Sequence, residues 1–176
     1  MNTHPTTDEP GNAPHKRDRS FGGQVGRVRG IAHRPVDGEP MVEAAECDIL
    51  VGRGISTENR KPGKREVTFL SAEAWANTCR DLGAVLPWQL RRANLLIEGI
   101  DLSATIGRTL AVGDAQVRIH AETTPCGLME KQFPGLCAAL VPECRGGVYG
   151  QVLSGGTVKI GDPVAVLPAN HTPTPA

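Results

Sequence analysis

Short runs of alternating apolar and polar residues fill the chain between positions 25 and 167, and they predict about nine β-strands. Glycine-rich and polar turns separate the runs, and two pairs of strands are predicted hairpins, around Gly113-Asp114 and around Ser154-Gly155-Gly156. So many short strands would leave unpaired edges, which a closed or partly open barrel removes. We therefore expect a mostly β, barrel-like fold with a few short helices. The predicted strands are residues 25–33, 40–51 (two short strands or one bent strand), 66–70, 91–98, 108–112, 115–123, 147–153, 157–160 and 162–167.

Helical patterns are confined to short segments between the strands. Ser71 is a predicted N-cap for a helix over residues 72–82, which Gly83 ends. Trp75, Cys79 and Leu82 fall on one face of that helix, which indicates packing rather than a binding site. Residues 128–141 predict two further short helical pieces, the second beginning at Pro134.

Both ends of the chain lack this patterning. Residues 1–24 mix three prolines with polar and charged residues, and residues 168–176 have a similar composition. Such segments bury too little apolar surface to fold, so we expect disordered tails at 1–24 and 168–176 around one domain at 25–167.

Composition and charge narrow the possible functions. The 19 basic and 19 acidic residues give a net charge of zero, whereas a nonspecific nucleic-acid binder needs a basic surplus. We find no signal peptide and no apolar run long enough to span a membrane. The five cysteines are odd in number and form no C-x-x-C pair, and the histidines show no zinc-type spacing. These features predict reduced thiols in a cytoplasmic protein without nucleic-acid or membrane partners.

Cys126 lies where a predicted strand ends and a helical segment begins. Pro125 fixes its own φ and biases Thr124 toward an extended conformation, while Gly127 permits a turn. The thiol is therefore presented at a rigid strand end, where folds tend to place their chemistry. Two interpretations remain: a small buried thiol, or a ligand or nucleophile.

A basic loop precedes the first predicted helix. Residues 52–65 contain five basic side chains and one acid, Glu58. Thr57 replaces the third glycine of a dinucleotide fingerprint, and Glu58 replaces the first glycine of a P-loop, so both nucleotide motifs fail. The loop is either a solvated basic segment or an anion clamp, in which Arg60 and Arg65 are candidate ligand-binding residues.

Polar groups also interrupt the apolar run at 91–98. Arg92 and Asn94 share one strand parity, and Leu95 and Ile97 share the other. Such polar groups need partners, either a polar ligand in a cleft or an ion pair of the arginines, for instance with Glu98 or Glu122. Arg91 belongs to the same candidate binding set.

Arg145, followed by Gly146-Gly147, is another candidate. The glycines allow close approach to a ligand or form a tight turn. A catalytic triad cannot be argued from the chain, because Ser71 lies outside a G-x-S-x-G context.

Several of these segments together resemble the MOSC domain, the C-terminal domain of molybdenum-cofactor sulfurase. The similar segments are residues 64–75, 90–100 and 106–110, Thr124-Pro125-Cys126 and Arg145-Gly146-Gly147. The resemblance covers roughly residues 25–167 and implies a β-rich barrel that binds a molybdenum–pterin cofactor or handles its sulfur. Members studied as enzymes reduce N-hydroxylated small molecules, usually with redox partner proteins.

The resemblance also implies roles for individual residues. Cys126 would be the molybdenum ligand or the sulfur carrier, and Arg92 and Asn94 would hold the pterin phosphate. Family members commonly carry Gly-Asp where this chain has Thr57-Glu58, so the site should differ on that side. Pyridoxal phosphate labels reach the family from a domain fused to it in sulfurases, and we expect no pyridoxal phosphate site here.

Three hypotheses follow from the sequence. The first is a stand-alone molybdenum-cofactor protein that reduces N-hydroxylated substrates. The second is a non-catalytic carrier of the cofactor or of a Cys126 persulfide. The third is a barrel that has lost its chemistry and serves as an interaction module.

Overall fold

The fold is a closed β-barrel with one helical side. The computed structural model describes residues 25–58 and 63–169. The predicted tails, apart from Pro168 and Ala169, and the candidate Arg60 lie outside the described residues. The strands are β1 (Val25–His33), β2 (Val42–Ala44), β3 (Glu46–Leu50), β4 (Gly54–Ile55), β5 (Val67–Ser71), β6 (Leu95–Glu98), β7 (Thr109–Val112), β8 (Ala115–Glu122), β9 (Val148–Ser154), β10 (Gly156–Lys159) and β11 (Pro163–Val166).

Seven strands close the barrel in the order β11-β7-β8-β9-β5-β6-β1, and pairing of β1 with β11 completes it. The closing register places Val25 opposite Ala165. β5 and β6 run parallel, and the other neighbours run antiparallel. The predicted mostly β barrel is thereby confirmed.

Aliphatic side chains fill the barrel. Burial alternates along β1 and β8, as expected for strands with one face toward a core. Phe69 is the one aromatic residue of this core, which otherwise consists mainly of valine, isoleucine and leucine. This matches a chain with only 3% aromatic residues.

The predicted hairpin around Ser154-Gly155-Gly156 is wrong. β9 and β10 follow one another but do not pair, because β10 joins β3 and β4 in a separate three-stranded sheet. Val158 lies opposite Cys47 in that sheet. The glycines turn the chain out of the barrel rather than back along it.

Three short helices cover one side of the barrel: α1 (Ala72–Asp81), α2 (Gly127–Gln132) and α3 (Leu136–Ala139). The predicted N-cap is confirmed, because the Ser71 hydroxyl accepts a hydrogen bond from the Ala74 N–H at 3.1 Å. Trp75 belongs to a second buried apolar cluster, against which Cys79 and Leu82 pack as predicted. None of the described helices has the length and apolar character that crossing a bilayer requires.

The predicted strand at 91–98 is too long. Only Leu95–Glu98 is a strand, and Trp88–Arg91 forms a 3₁₀ helix. Arg92 ends that helix in the left-handed region, with φ of 59°. The strand-parity argument for Arg92 and Asn94 therefore fails, since neither residue lies on a strand.

Candidate functional site

Cys126 is presented at the end of β8, as predicted. The strand ends at Glu122, and α2 begins at Gly127. Cys126 itself is extended (φ −132°, ψ 168°), and its carbonyl accepts the Met129 N–H at 2.8 Å. Its side chain makes no capping hydrogen bond and is exposed, so the thiol is available to a ligand.

The thiol faces a pocket of about 420 Å³, which we call the Cys126 pocket. The pocket brings together four predicted site residues, namely Arg65, Arg91, Arg92 and Cys126. It does not include Asn94 or Arg145 among its lining residues. The remaining lining residues are Arg34, Asp37, Met41, Glu58, Leu128 and Met129.

Arg91 is the most buried cation of the pocket, with 5% of its surface exposed. Its Nη2 donates to the Thr123 carbonyl at 2.8 Å, while its buried Nε has no hydrogen-bond partner among the described residues. Burial, together with the charge of Arg65, lowers the pKa of Arg91 to about 10. The guanidinium remains charged at neutral pH. A buried, incompletely bonded cation beside a pocket is a group that an anion would stabilise.

Arg65 and Arg92 approach the pocket from less buried positions. The Arg65 guanidinium lies 5.8 Å from the centroid of the Tyr149 ring, within cation–π range. Arg92 holds an uncommon left-handed backbone for a residue with a side chain. Such conformations persist where the surrounding structure enforces them, and they cluster at functional sites.

Asn94 supports the pocket from behind rather than from its surface. Its side-chain oxygen accepts from the Thr68 N–H at 3.1 Å and from the Thr68 hydroxyl at 2.8 Å. Its amide donates to the Ala32 carbonyl at 3.3 Å and to Glu58 Oε1 at 2.9 Å. These four bonds use the hydrogen-bonding capacity of the carboxamide, so Asn94 orients Glu58 instead of facing a ligand.

Glu58 is a buried carboxylate in the pocket wall, with 3% of its surface exposed. Its Oε1 also accepts the Arg34 backbone N–H at 2.9 Å. The carboxylate therefore ties the end of β1 to the loop that carries Thr57. The departure from the usual Gly-Asp thus places an acidic group within the pocket rather than removing it.

Arg145 forms ion pairs away from the Cys126 pocket. Its guanidinium pairs with Asp81 at the end of α1 and with Glu143 at 3.5 Å. Gly146 packs against the Thr123 carbonyl and lies close to Arg91 Nη2, and Gly147 is left-handed (φ +81°) against the Phe69 carbonyl. The glycines therefore approach the protein's own backbone, and this segment braces the turn that carries Cys126.

The alternative prediction was an ion pair of Arg91 or Arg92 with Glu98 or Glu122, and the described residues show no such pair within 4 Å. Glu98 pairs with Arg29 at 3.2 Å, on the outer surface.

Arg34 was not among the residues singled out by the sequence, because it follows β1 in a polar loop without a recognisable motif. Its contribution becomes visible only when β1 and the Glu58 loop are brought together.

Two of the other thiols, those of Cys47 and Cys144, are poorly placed for chemistry. Burial, together with the charge of nearby carboxylates, raises the pKa of Cys47 to about 12 and that of Cys144 to about 11. These thiols remain protonated near pH 8. Within the described residues, no cluster of three or more histidine, cysteine or acidic side chains is arranged to hold a metal ion.

We expect alkylation by iodoacetamide at pH 8 to modify Cys126 at least about tenfold faster than Cys47 or Cys144, because the thiolate is the reactive form and only Cys126 is exposed. Peptide mass spectrometry over time measures the three rates. Comparable rates for Cys47 and Cys126 would contradict the burial described for Cys47.

The comparisons with known proteins agree with this architecture. YuaD from Bacillus subtilis is similar with a TM-score of 0.66 at 18% identity, over 80% of this chain and 94% of that chain. YiiM from Geobacillus stearothermophilus and YiiM from Escherichia coli each give a TM-score of 0.61 at 15% identity over 81% of this chain, and 73% and 70% of their own chains are covered. At such identities the likeness concerns the fold.

Sequence comparison gives a more specific result. None of the curated proteins matches the chain. The family model described as "MOSC domain" matches residues 41–165, which is most of the barrel and includes Cys126, Arg65, Arg91 and Arg92. The chain belongs to the MOSC domain family.

Proposed function

We propose that this protein binds a molybdenum–pterin cofactor in the Cys126 pocket and, with a redox partner protein, reduces N-hydroxylated small molecules. The observation that supports the proposal is the convergence of one exposed thiol and four arginines on a single pocket. The five cysteines are free thiols, which is consistent with a cytoplasmic location.

The residues of the pocket fit such a cofactor in two respects. A cysteine thiolate is a soft ligand, suited to a thiophilic metal, and Cys126 is the one thiol in the pocket. A metal held by a single protein side chain needs further ligands, which an organic cofactor would bring. Arg91, with its buried and unpaired Nε, fits the anionic phosphate of that cofactor.

The thiol and three of the four arginines of the pocket then have a defined task. Cys126 would hold the metal, while Arg65, Arg91 and Arg92 would hold the anionic part of the cofactor. Arg60 and Arg145 belonged to the predicted set. Arg60 lies outside the described residues, and Arg145 is committed to Asp81 and Glu143. Asn94 would act through Glu58, as a positioning residue.

The bound cofactor would supply the two-electron chemistry. The overall reaction is R–NHOH + 2 electrons + 2 protons → R–NH₂ + H₂O, in which the N–O bond breaks and the redox partner provides the electrons. The protein would orient the substrate in the pocket, and it holds a carboxylate, that of Glu58, in the pocket wall.

A second candidate function is favoured by the exposure of Cys126. An exposed thiol at a strand end can carry a persulfide to another protein, whereas a buried thiol cannot. In that case the protein is a carrier of sulfur or of the cofactor, and it has no reductase activity.

Metal analysis of protein expressed in a cofactor-competent host tests the proposal. We expect molybdenum to copurify with the wild type and to be lost from Cys126→Ser, because a hydroxyl is a poor ligand for a soft metal. Cys79→Ser, which alters a thiol packed against the Trp75 cluster, is the matched control and should retain the metal.

The other outcomes separate the candidates. Equal molybdenum in wild type and Cys126→Ser would show that the pterin binds without this thiol. No molybdenum in either, with a labile extra sulfur on Cys126 by mass spectrometry, would replace the reductase by the carrier.

A further inference from the structure

Arg34 is the pocket arginine to which the proposed cofactor site gives no task. It follows the last residue of β1, and its backbone N–H donates to Glu58 Oε1 at 2.9 Å. Because Glu58 is itself held by Asn94 at 2.9 Å, the base of the Arg34 side chain is fixed to the buried framework. The Arg34 side chain lines the pocket and is 28% exposed.

The partner of Arg34 is easily exchanged. Arg34 Nη2 lies 2.7 Å from Asp37 Oδ1, and the Asp37 side chain is 86% exposed. An ion pair with so exposed a carboxylate contributes little net stability. A ligand carboxylate or phosphate can therefore replace Asp37, and it can engage the planar guanidinium through two parallel hydrogen bonds.

The charge of the pocket favours an anion. Among the described residues, four arginines and two carboxylates line it, which is an excess of two positive charges, whereas the net charge of the chain is zero. Met41, Leu128 and Met129 add apolar surface to the same lining. Together these groups suit a ligand that combines an anionic group with an apolar body.

Building on the proposed function, we propose that the substrate is an anionic N-hydroxylated compound whose carboxylate or phosphate group is bound by Arg34. The apolar body of the substrate packs against Met41 and Leu128, and the N–OH group points toward Cys126. Arg34 is then the residue that determines specificity, while Arg65, Arg91 and Arg92 serve the cofactor. In the absence of substrate, Arg34 forms its ion pair with Asp37.

Steady-state kinetics with two matched substrates test this inference. Benzamidoxime and 4-carboxybenzamidoxime share the reacting group and differ by one carboxylate. For the molybdenum-loaded wild type we expect kcat/KM to favour the carboxylated compound about 10- to 100-fold, mainly through KM, as a charge-assisted hydrogen bond would produce. Arg34→Gln should abolish this preference. Asp37→Asn should increase it, since the Asp37 carboxylate then no longer competes for Arg34.

Arg29→Gln is the matched control. Arg29 lies on β1, the strand that leads to Arg34, and it also forms an ion pair, with Glu98, but it does not line the pocket. Its removal should leave the ratio of the two kcat/KM values unchanged. A preference that survives in Arg34→Gln would overturn the inference, and so would loss of molybdenum from Arg34→Gln, which would assign Arg34 to the cofactor.

A binding measurement keeps the inference testable without turnover. Isothermal titration with benzoate and with phenyl phosphate should show binding to the wild type and to Arg29→Gln, weakened at least about tenfold in Arg34→Gln. The tighter of the two ligands identifies the anion. If neither amidoxime is reduced but this pattern appears, the reductase proposal fails and the anion site stands. Equal binding by all variants would overturn the site itself.

Discussion

Replacing Arg91 by methionine should stabilise the ligand-free protein by about 1 kcal/mol or more, and it should weaken anion binding in the pocket about 30-fold or more. Arg91 is 5% exposed, its Nε is unpaired among the described residues, and burial lowers its pKa to about 10. These observations indicate that the buried charge lowers the stability of the fold. A methionine of similar length fills the same space without a charge. The loss of the hydrogen bond to the Thr123 carbonyl offsets part of the gain.

Urea unfolding measures the first effect and calorimetric titration with inorganic phosphate the second. The matched control is Arg118→Met, an exposed arginine on β8, which should change stability by less than about 0.5 kcal/mol. A large loss of stability in Arg91→Met would show that the guanidinium is structural. Unchanged phosphate affinity would locate the anion clamp elsewhere.

Replacing Asn94 by aspartate should lower the free energy of unfolding by about 3–5 kcal/mol, the effect of an uncompensated buried charge. The side chain is fully buried, and its amide donates to Glu58 Oε1 at 2.9 Å. Aspartate would place a second carboxylate against Glu58 and would remove the donor to the Ala32 carbonyl. Because Glu58 also holds the Arg34 backbone, the pocket wall should loosen as well.

The double variant Asn94→Asp/Glu58→Gln provides the control. Glutamine at position 58 removes one charge and can donate to the new carboxylate, so we expect about half or more of the lost stability to return. Urea unfolding of the four proteins gives the coupling energy. A loss below about 1 kcal/mol in Asn94→Asp alone would mean that the amide is not the bridge described here.

The sequence could predict elements that depend on local chemistry. The Ser71 cap, the Gly113-Asp114 hairpin and the placement of Cys126 each rest on residues within a few positions of one another. Pairings between distant residues were not predictable in this way. β10 pairs with β3 rather than with β9. In this pairing the buried Val158 lies opposite Cys47, which is far from it in the sequence.

Only part of the site could be predicted, because local patterns show residue types but not distant partners. Arg65, Arg91, Arg92 and Cys126 are recognisable by residue type, and they do share a pocket. The tasks of Asn94 and Arg145 depended on partners that local patterns do not reveal. Asn94 forms hydrogen bonds with the backbone and the side chain of Thr68, and Arg145 forms an ion pair with Asp81. Arg34 had no local signal, since its role depends on Glu58.

The closing pair of the barrel has a consequence for how the protein is made. β1 receives one of its two barrel neighbours only when β11 is available, and the register joins Val25 to Ala165. β2 pairs with residues 31–33 of β1 early in synthesis, but residues 25–27 have no partner on that edge until nearly the whole domain has left the ribosome. Barrels built from such distant pairings fold slowly, on the order of milliseconds to seconds. The residues that line the Cys126 pocket fall between positions 34 and 129, so the whole lining is synthesised before the strand that closes the barrel.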